Sequence, residues 1–300
     1  MLLKLYDIKY HITPMSDEKV FKKNFLNRKN VKTIFIYYSS TEEIIKWKIF
    51  KSFTRVNYAF LNYDYFVSDN ISINLFKNQK TLIKNYVKIG SIGSDIITEN
   101  KKRKLIKKNK NKNNLVNKIT ISFFDHSIGR DGIWSQKDYN QFLKLIYSLL
   151  KAFNYNIVLK TKKSEHEIKS HFSKENQILF SKIEEYKNFQ HFAGYDKKLG
   201  TYELIALSNL IISAPVSSVI TETLSAKKKL IVFDPNSKYI NSIFSNKKMK
   251  KIYCNDIKNF MKIFKANLKI DPKKYQDYIQ NSYIKNIYKL DNFGSNKNNF

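Results

Sequence analysis

Small hydroxylated residues that open a helix directly after a buried strand are suited to holding phosphate. Leu210–Asp234 (LIISAPVSSVITETLSAKKKLIVFD) has that arrangement. An apolar strand ends at Ser213, a turn of Ala214-Pro215-Val216 follows, and Ser217 and Ser218 open a helix. Hydroxyls there cap backbone N–H groups, and the same N–H groups and helix dipole attract an anion. Glu222 lies four or five residues into the helix, where a carboxylate can accept hydrogen bonds from a ribose diol. The plainer alternative is an ordinary strand, cap and helix, with Ser217 a simple cap and Glu222 in solvent.

Two further segments carry candidate chemistry. Ile119–Trp134 (ITISFFDHSIGRDGIW) is a strand ending in Asp125-His126, then a polar loop with Gly129 and Gly132. Asp, His, Ser and Gly at a strand's carboxyl end suit a ligand loop, and Asp125 and His126 are the candidates for catalysis. A turn with a structural histidine explains the same residues. In Asn156–Lys163 (NIVLKTKK), Lys160 ends a strand and can neutralise a diphosphate, or simply be a solvated strand end.

Other chemistries lack their residues. There is no GxxxxGK[ST] loop, no GxGxxG and no GxSxG, which argues against P-loop enzymes, dinucleotide oxidoreductases and α/β-hydrolases. His166 and His171 stand five apart, poor spacing for two metal ligands on one helix face. A single cysteine, Cys254, excludes a disulfide framework and a cysteine-based metal site. No bound metal or cofactor is expected.

The elements that must position these residues alternate. Strands are expected over Val31–Tyr38, within Tyr58–Val67, and at Tyr86–Ile92, Ile119–Phe124, Asn156–Lys160, Phe189–Ala193, Leu210–Ser213, Leu230–Asp234 and Ile252–Cys254. Helices are expected over Glu42–Phe53, Ile71–Phe76, Gln136–Phe153, Glu165–Phe172, Glu175–Tyr186, Tyr202–Leu207, Ser217–Ala226, Tyr239–Phe244, Asp256–Phe264 and Pro272–Tyr288. Alternation of this kind implies βαβ units and a mostly parallel sheet covered on both faces. Ligands in such sheets sit beyond the carboxyl ends of the strands.

Thr98–Lys118 holds nine basic residues, one acid and almost no apolar periodicity, and reads as a linker or exposed loop. The expected fold class is therefore α/β, with two Rossmann-like lobes and a cleft between them. The divisions are a short N-terminal lobe (1–97), a basic linker (98–117) and a larger C-terminal lobe (118–300).

The 300 residues hold 55 Lys+Arg against 25 Asp+Glu, a formal charge of +30. Lys, Asn, Ile, Tyr and Phe all have AT-rich codons, so genome composition accounts for the charge as readily as function does. Either way the surface attracts phosphates on nucleotides, nucleic acid or lipid headgroups. With 42% apolar residues a real core is available. No apolar run approaches a membrane span, and the N-terminus is too polar for a signal peptide, so the chain reads as soluble and cytoplasmic.

The run LGTYELIALSNLIISAPVSSVITETLSAKKKLIVFDP resembles the C-terminal lobe of bacterial surface-polysaccharide biosynthesis proteins of the PFTS-motif group, which have a GT-B-like fold. Where that group has Pro-Phe-Thr-Ser, this chain has Pro215-Val216-Ser217-Ser218, which keeps a hydroxyl and loses an aromatic. Where the group's next strand ends in Tyr-Asp-Pro, this chain has Phe233-Asp234-Pro235. The strand ending in Lys160 and the tail Lys289-Leu290-Asp291-Asn292-Phe293 are also similar, so the resemblance covers about 118–295. By comparison with the group, the N-terminal lobe is short or truncated.

The resemblance implies a glycosyltransferase of capsule or lipopolysaccharide assembly. Its donor, a nucleotide-sugar, is held mainly by the C-terminal lobe, and its acceptor is lipid-linked or a glycan. Lys160, Ser217, Ser218 and Glu222 are then the donor-binding residues, with Asp125 and His126 lining the site. Work at the cytoplasmic face of the inner membrane would bring the basic segment against anionic lipid. Two alternatives belong to other classes: a basic nucleic-acid-binding protein, and a non-catalytic GT-B-like partner subunit. The basic segment lacks Phe, Tyr and Trp, which argues against stacking on single strands.

Overall fold

The computed structural model describes residues 9–13, 31–36, 63–68, 73, 77, 83–88, 118–126, 128, 134–194, 199–215, 217–235 and 251–280. The expected helices Glu42–Phe53 and Tyr239–Phe244, most of Ile71–Phe76, the basic linker 98–117 and the tail Lys289–Phe293 lie outside them. The chain divides into two compact units, Met1–Ile92 with Asp291–Phe300, and Gly93–Leu290.

The first unit holds a parallel sheet of β1 (Tyr10–Thr13), β2 (Lys32–Ile36), β3 (Tyr65–Ser68) and β4 (Asn85–Lys88), in that spatial order. Its core gathers Phe35, Tyr63, Phe66, Ile73 and Ile83. Phe35 stacks on Tyr63 at 5.2 Å and meets Phe66 edge-on at 5.5 Å. Asp64 ties β2 to β3 by accepting from the Thr33 N–H (2.9 Å) and hydroxyl (3.1 Å), and pairs with Lys84. Lys84 and the Thr33 N–H hold the Asp64 carboxyl below its ordinary range.

The second unit runs β5 (Thr120–Phe124), α1 (Gln136–Ala152), β6 (Asn156–Thr161), α2 (Glu165–His171), α3 (Lys174–Glu184) and β7 (Phe189–Ala193). It continues through α4 (Thr201–Leu207), β8 (Leu210–Ser213), α5 (Ser218–Ser225), β9 (Leu230–Phe233), β10 (Tyr253–Cys254), α6 (Ile257–Lys269) and α7 (Pro272–Gln280). All six strands pair in parallel in the order β10-β9-β8-β5-β6-β7. β5, β6, β8 and β9 are buried at every position, which is why Ile, Leu, Val and Phe fill them apart from Thr120, Ser122, Asn156, Lys160, Thr161 and Ser213.

Helix starts follow local chemistry. Ser135 and Asp138 form a capping box on α1, and Ser164 and Glu167 form one on α2. Ser173, Ser217 and Asp256 cap α3, α5 and α6.

Side chains alternate between the faces of a strand, and register fixes which ones share a face. Ile121, Phe123, Ile157, Leu159, Ile212 and Ile231 form one core with α1, α3 and α6. The other face carries Ser122 opposite Val158, and Phe124 opposite Lys160. There Ser122 Oγ meets Ser208 Oγ, at the end of α4, at 2.6 Å. α4 packs beside α5, so this is the face that both helices cover. Helices on both faces make the unit doubly wound. Among the described residues, no helix is long and apolar enough to cross a membrane.

Candidate functional site

From β5 the chain steps outward to β6 and β7, then returns to the other side of β5 for β8, β9 and β10. The strand order therefore reverses between β5 and β8. The loops leaving neighbouring carboxyl ends at such a reversal part in opposite directions and leave a crevice. Asp125 and His126 follow β5, and Ser217 and Ser218 follow β8. The crevice stays narrow at its base, where the Ala214 N–H donates to the Phe124 carbonyl at 3.1 Å.

Asp125 is buried and fully engaged. Oδ1 accepts from the Lys162 N–H at 3.0 Å, and Oδ2 accepts from the Tyr139 hydroxyl at 3.0 Å. Its own N–H donates to the Lys160 carbonyl at 3.3 Å. One carboxylate thus joins the end of β5, the end of β6 and the first turn of α1. Burial pushes this carboxyl up to about 6, against the Lys162 N–H and the Tyr139 hydroxyl, which pull it down. Burial and the neighbouring Asp125 charge push the Tyr139 phenol well above its ordinary value, so it stays a donor.

His126 is buried next to it. Beyond it, Ile128 bridges to Trp134, and Trp134 packs against Tyr139 and Phe142, closing the loop onto α1. Gly129 and Gly132, within that loop, lie outside the described residues.

Ser217 is the N-cap of α5, its Oγ accepting from the Val219 N–H at 3.2 Å. Ser218 is exposed at the first helical position. The two hydroxyls therefore divide the work: one shapes the helix start, the other faces solvent. Glu222 is buried rather than solvated, which removes the plainer alternative for that residue. Lys160 is also buried, on the face that α4 and α5 cover, and its ammonium donates to the Gly194 carbonyl. Gly194 has φ +52°, a left-handed conformation that favours glycine.

Sequence reasoning missed the partners. Tyr139 and the Lys162 N–H fix Asp125, and Gly194 receives Lys160. At the end of β9, the Tyr253 hydroxyl donates to buried Asp234 at 2.6 Å. Burial and the Asp234 carboxylate raise the Tyr253 phenol. The signal for Tyr139 was its place in the first turn of the helix after β5, which returns over that strand's end. Among the described residues, no three His, Cys, Asp or Glu side chains gather so as to hold a metal ion.

A doubly wound parallel sheet with candidate residues on both sides of its order reversal, preceded in the chain by a second parallel sheet, makes a GT-B-like fold. The likeness extends to solved structures. The wall teichoic acid polymerase TagF matches at 16% identity and TM-score 0.57, over 88% of this chain and 65% of that one. A variant of the same polymerase matches at 14% identity and TM-score 0.62, over 95% and 69%. UDP-GlcNAc 2-epimerase from Neisseria meningitidis, bound to UDP-GlcNAc, matches at 11% identity and TM-score 0.54, over 92% and 72%. At these identities the likeness is one of fold, and the chain spans about two thirds of the polymerase. No curated protein matches the chain. The chain belongs to the polysaccharide biosynthesis PFTS motif family, whose model matches residues 7–261.

Proposed function

We propose that the chain is a nucleotide-sugar-dependent glycosyltransferase of surface-polysaccharide assembly. The observation that carries this reading is the reversal of strand order between β5 and β8, with a capped helix start on one side and the Asp125 loop on the other. Membership of a polysaccharide biosynthesis family and the fold shared with a teichoic acid polymerase support it. The donor diphosphate would lie against the start of α5, near Ser217 and exposed Ser218. Helix N–H groups there stabilise charge that grows as the sugar–phosphate bond breaks at the anomeric carbon. Lys160 adds positive charge to the same carboxyl edge, and Glu222 accepts from the ribose hydroxyls.

Asp125, with both oxygens engaged, holds the loop that presents His126, rather than acting as a base itself. The donor is a substrate, so this reading requires no separate cofactor. The acceptor would be a lipid-linked or free glycan met at the cytoplasmic membrane face.

Calorimetry with UDP-, GDP-, CDP- and CMP-sugars tests the reading. One of these should bind, and Glu222→Ala should weaken it by about 1–3 kcal/mol. Absence of binding by all four classes would sink the proposal. Binding without transfer to any glycan acceptor would instead favour a non-catalytic partner subunit, the second reading that the engaged Asp125 supports.

A further inference from the structure

The charge of this chain is not spread evenly over the second unit. α6 is anchored on one side by buried Phe260, Ile263, Phe264 and Asn267. Its exposed residues are Lys258, Asn259, Lys262, Lys265, Ala266 and Lys269. The four lysines stand four, three and four residues apart, so they form one stripe along the outer face. α6 contains no Asp or Glu, and no ion pair among the described residues involves the stripe. Lys273 and Lys274, both exposed, follow in the first turn of α7.

The opposite edge of the sheet is different. α2 and α3 carry Glu165, Glu167, Glu175 and Glu184, and Lys169 there is tied to Glu165 at 2.7 Å and Glu184 at 3.2 Å. A codon bias toward lysine acts on both edges alike. It does not exclude acids from one helix while gathering them on another.

The stripe spans roughly 16 Å at 1.5 Å per residue along one face of the helix. Lysines present mobile point charges rather than the planar fork that grips a single phosphate. None of the exposed residues is aromatic, so bases would find nothing to stack on. A flat array of negative charge fits this surface best. We propose that the outer face of α6, carried by Lys258, Lys262, Lys265 and Lys269, docks on an anionic lipid bilayer. α6 begins directly after β10, at the carboxyl edge of the sheet that also carries Asp125 and Ser217. Docking is separate from the donor reading and from the basic segment 98–117.

The test is co-sedimentation of the full chain with vesicles of phosphatidylcholine, alone or with 30 mol% phosphatidylglycerol. The chain should sediment only with the anionic vesicles, and less as salt rises. Lys258→Gln, Lys262→Gln, Lys265→Gln and Lys269→Gln together should lower partitioning by at least about tenfold. A charge-matched control, Lys137→Gln, Lys174→Gln, Lys182→Gln and Lys187→Gln, should leave it within about twofold. Should the fourfold α6 variant fail to fold by circular dichroism, Lys262→Gln with Lys265→Gln should still lower partitioning by about threefold or more. Glu222→Ala should sediment like the unaltered chain, which separates this surface from the donor site. Equal losses in the α6 variant and the control would overturn the proposal, as would no loss in the α6 variant or equal binding to neutral vesicles. So would displacement by inorganic phosphate at the concentration of lipid phosphate, or tighter binding to a single-stranded oligonucleotide than to anionic vesicles.

Discussion

Asp125 decides how three segments meet, and its protonation is linked to stability. Its ordinary value is 3.8, and burial raises it to about 6 in the folded chain. Between those values the folded chain holds a proton that the unfolded chain has released. The contribution of this group is therefore complete below the lower value and is lost as pH rises through the upper one. The gap corresponds to about 3 kcal/mol. Asp125→Asn keeps the shape, with the amide oxygen accepting from Lys162 and the NH2 donating to the Tyr139 oxygen. Urea denaturation at pH 4.5 and 7.5 should show the unaltered chain losing about 2–3 kcal/mol more than the Asn variant over that interval. Identical losses would remove the buried carboxyl from the account. Asp125, His126, Ser217 and Ser218 were legible as candidates because strand ends and helix starts are marked by residue type. Their partners were not. Tyr139 belongs to the next helix, and Gly194 reaches Lys160 only through the pairing of β6 with β7. The burial of Glu222 was hidden too, because α5 mixes Thr, Glu and Ser with apolar residues on several sides.

At the scale of elements, the end of β7 shows how one backbone conformation supports a side chain elsewhere. Gly194 has φ +52°, and a Cβ there would stand 3.3 Å from the Ser164 nitrogen. Its N–H also donates to the Thr161 carbonyl at 3.0 Å, carrying the parallel pairing of β6 and β7 one bond into the turn that ends β7. Gly194→Ala should destabilise the chain by about 1–2 kcal/mol, from the left-handed conformation together with the tight contact. Urea denaturation measures this, and an unchanged midpoint would show that the turn adapts freely. The strands of the second unit were legible because each gathers apolar or aromatic residues in a short stretch bounded by polar ones. β1 was not, since Tyr-His-Ile-Thr is only four residues long and leaves Tyr10 and Ile12 exposed. α6 outruns the expected end at Phe264 and continues to Lys269. Asn267 sustains the extra turn by donating to the Lys251 carbonyl at 2.7 Å. The helix stops just before Asp271-Pro272, where the residue preceding a proline disfavours helical backbone.

For the molecule as a whole, a formal charge of +30 on 300 residues means sustained self-repulsion in the folded state. Raising NaCl from about 20 to about 300 mM should lift the melting temperature by about 3–5 °C, since the Debye length shrinks from roughly 20 Å to under 10 Å. A falling melting temperature would mean that attractive pairs outweigh the repulsion. Charge of this size was plain in the composition, but its segregation onto α6 was not, because lysines spaced along a chain share a stripe only once helix and core face are known. The central position of β5 has a different consequence, one of timing. Thr120 sits opposite Asn156 on one side, whereas Ile121 sits opposite Leu210 on the other. The second neighbour leaves the ribosome roughly fifty residues after the first, a wait of several seconds at about 5–20 residues per second. Throughout that interval the middle of the future sheet is an open edge bearing Ile121 and Phe123, both fully covered in the finished fold. Such an edge is a template for pairing with another nascent chain. The strand at the heart of the sheet thus waits with one edge open, and the chain is exposed to misassembly there until β8 has emerged.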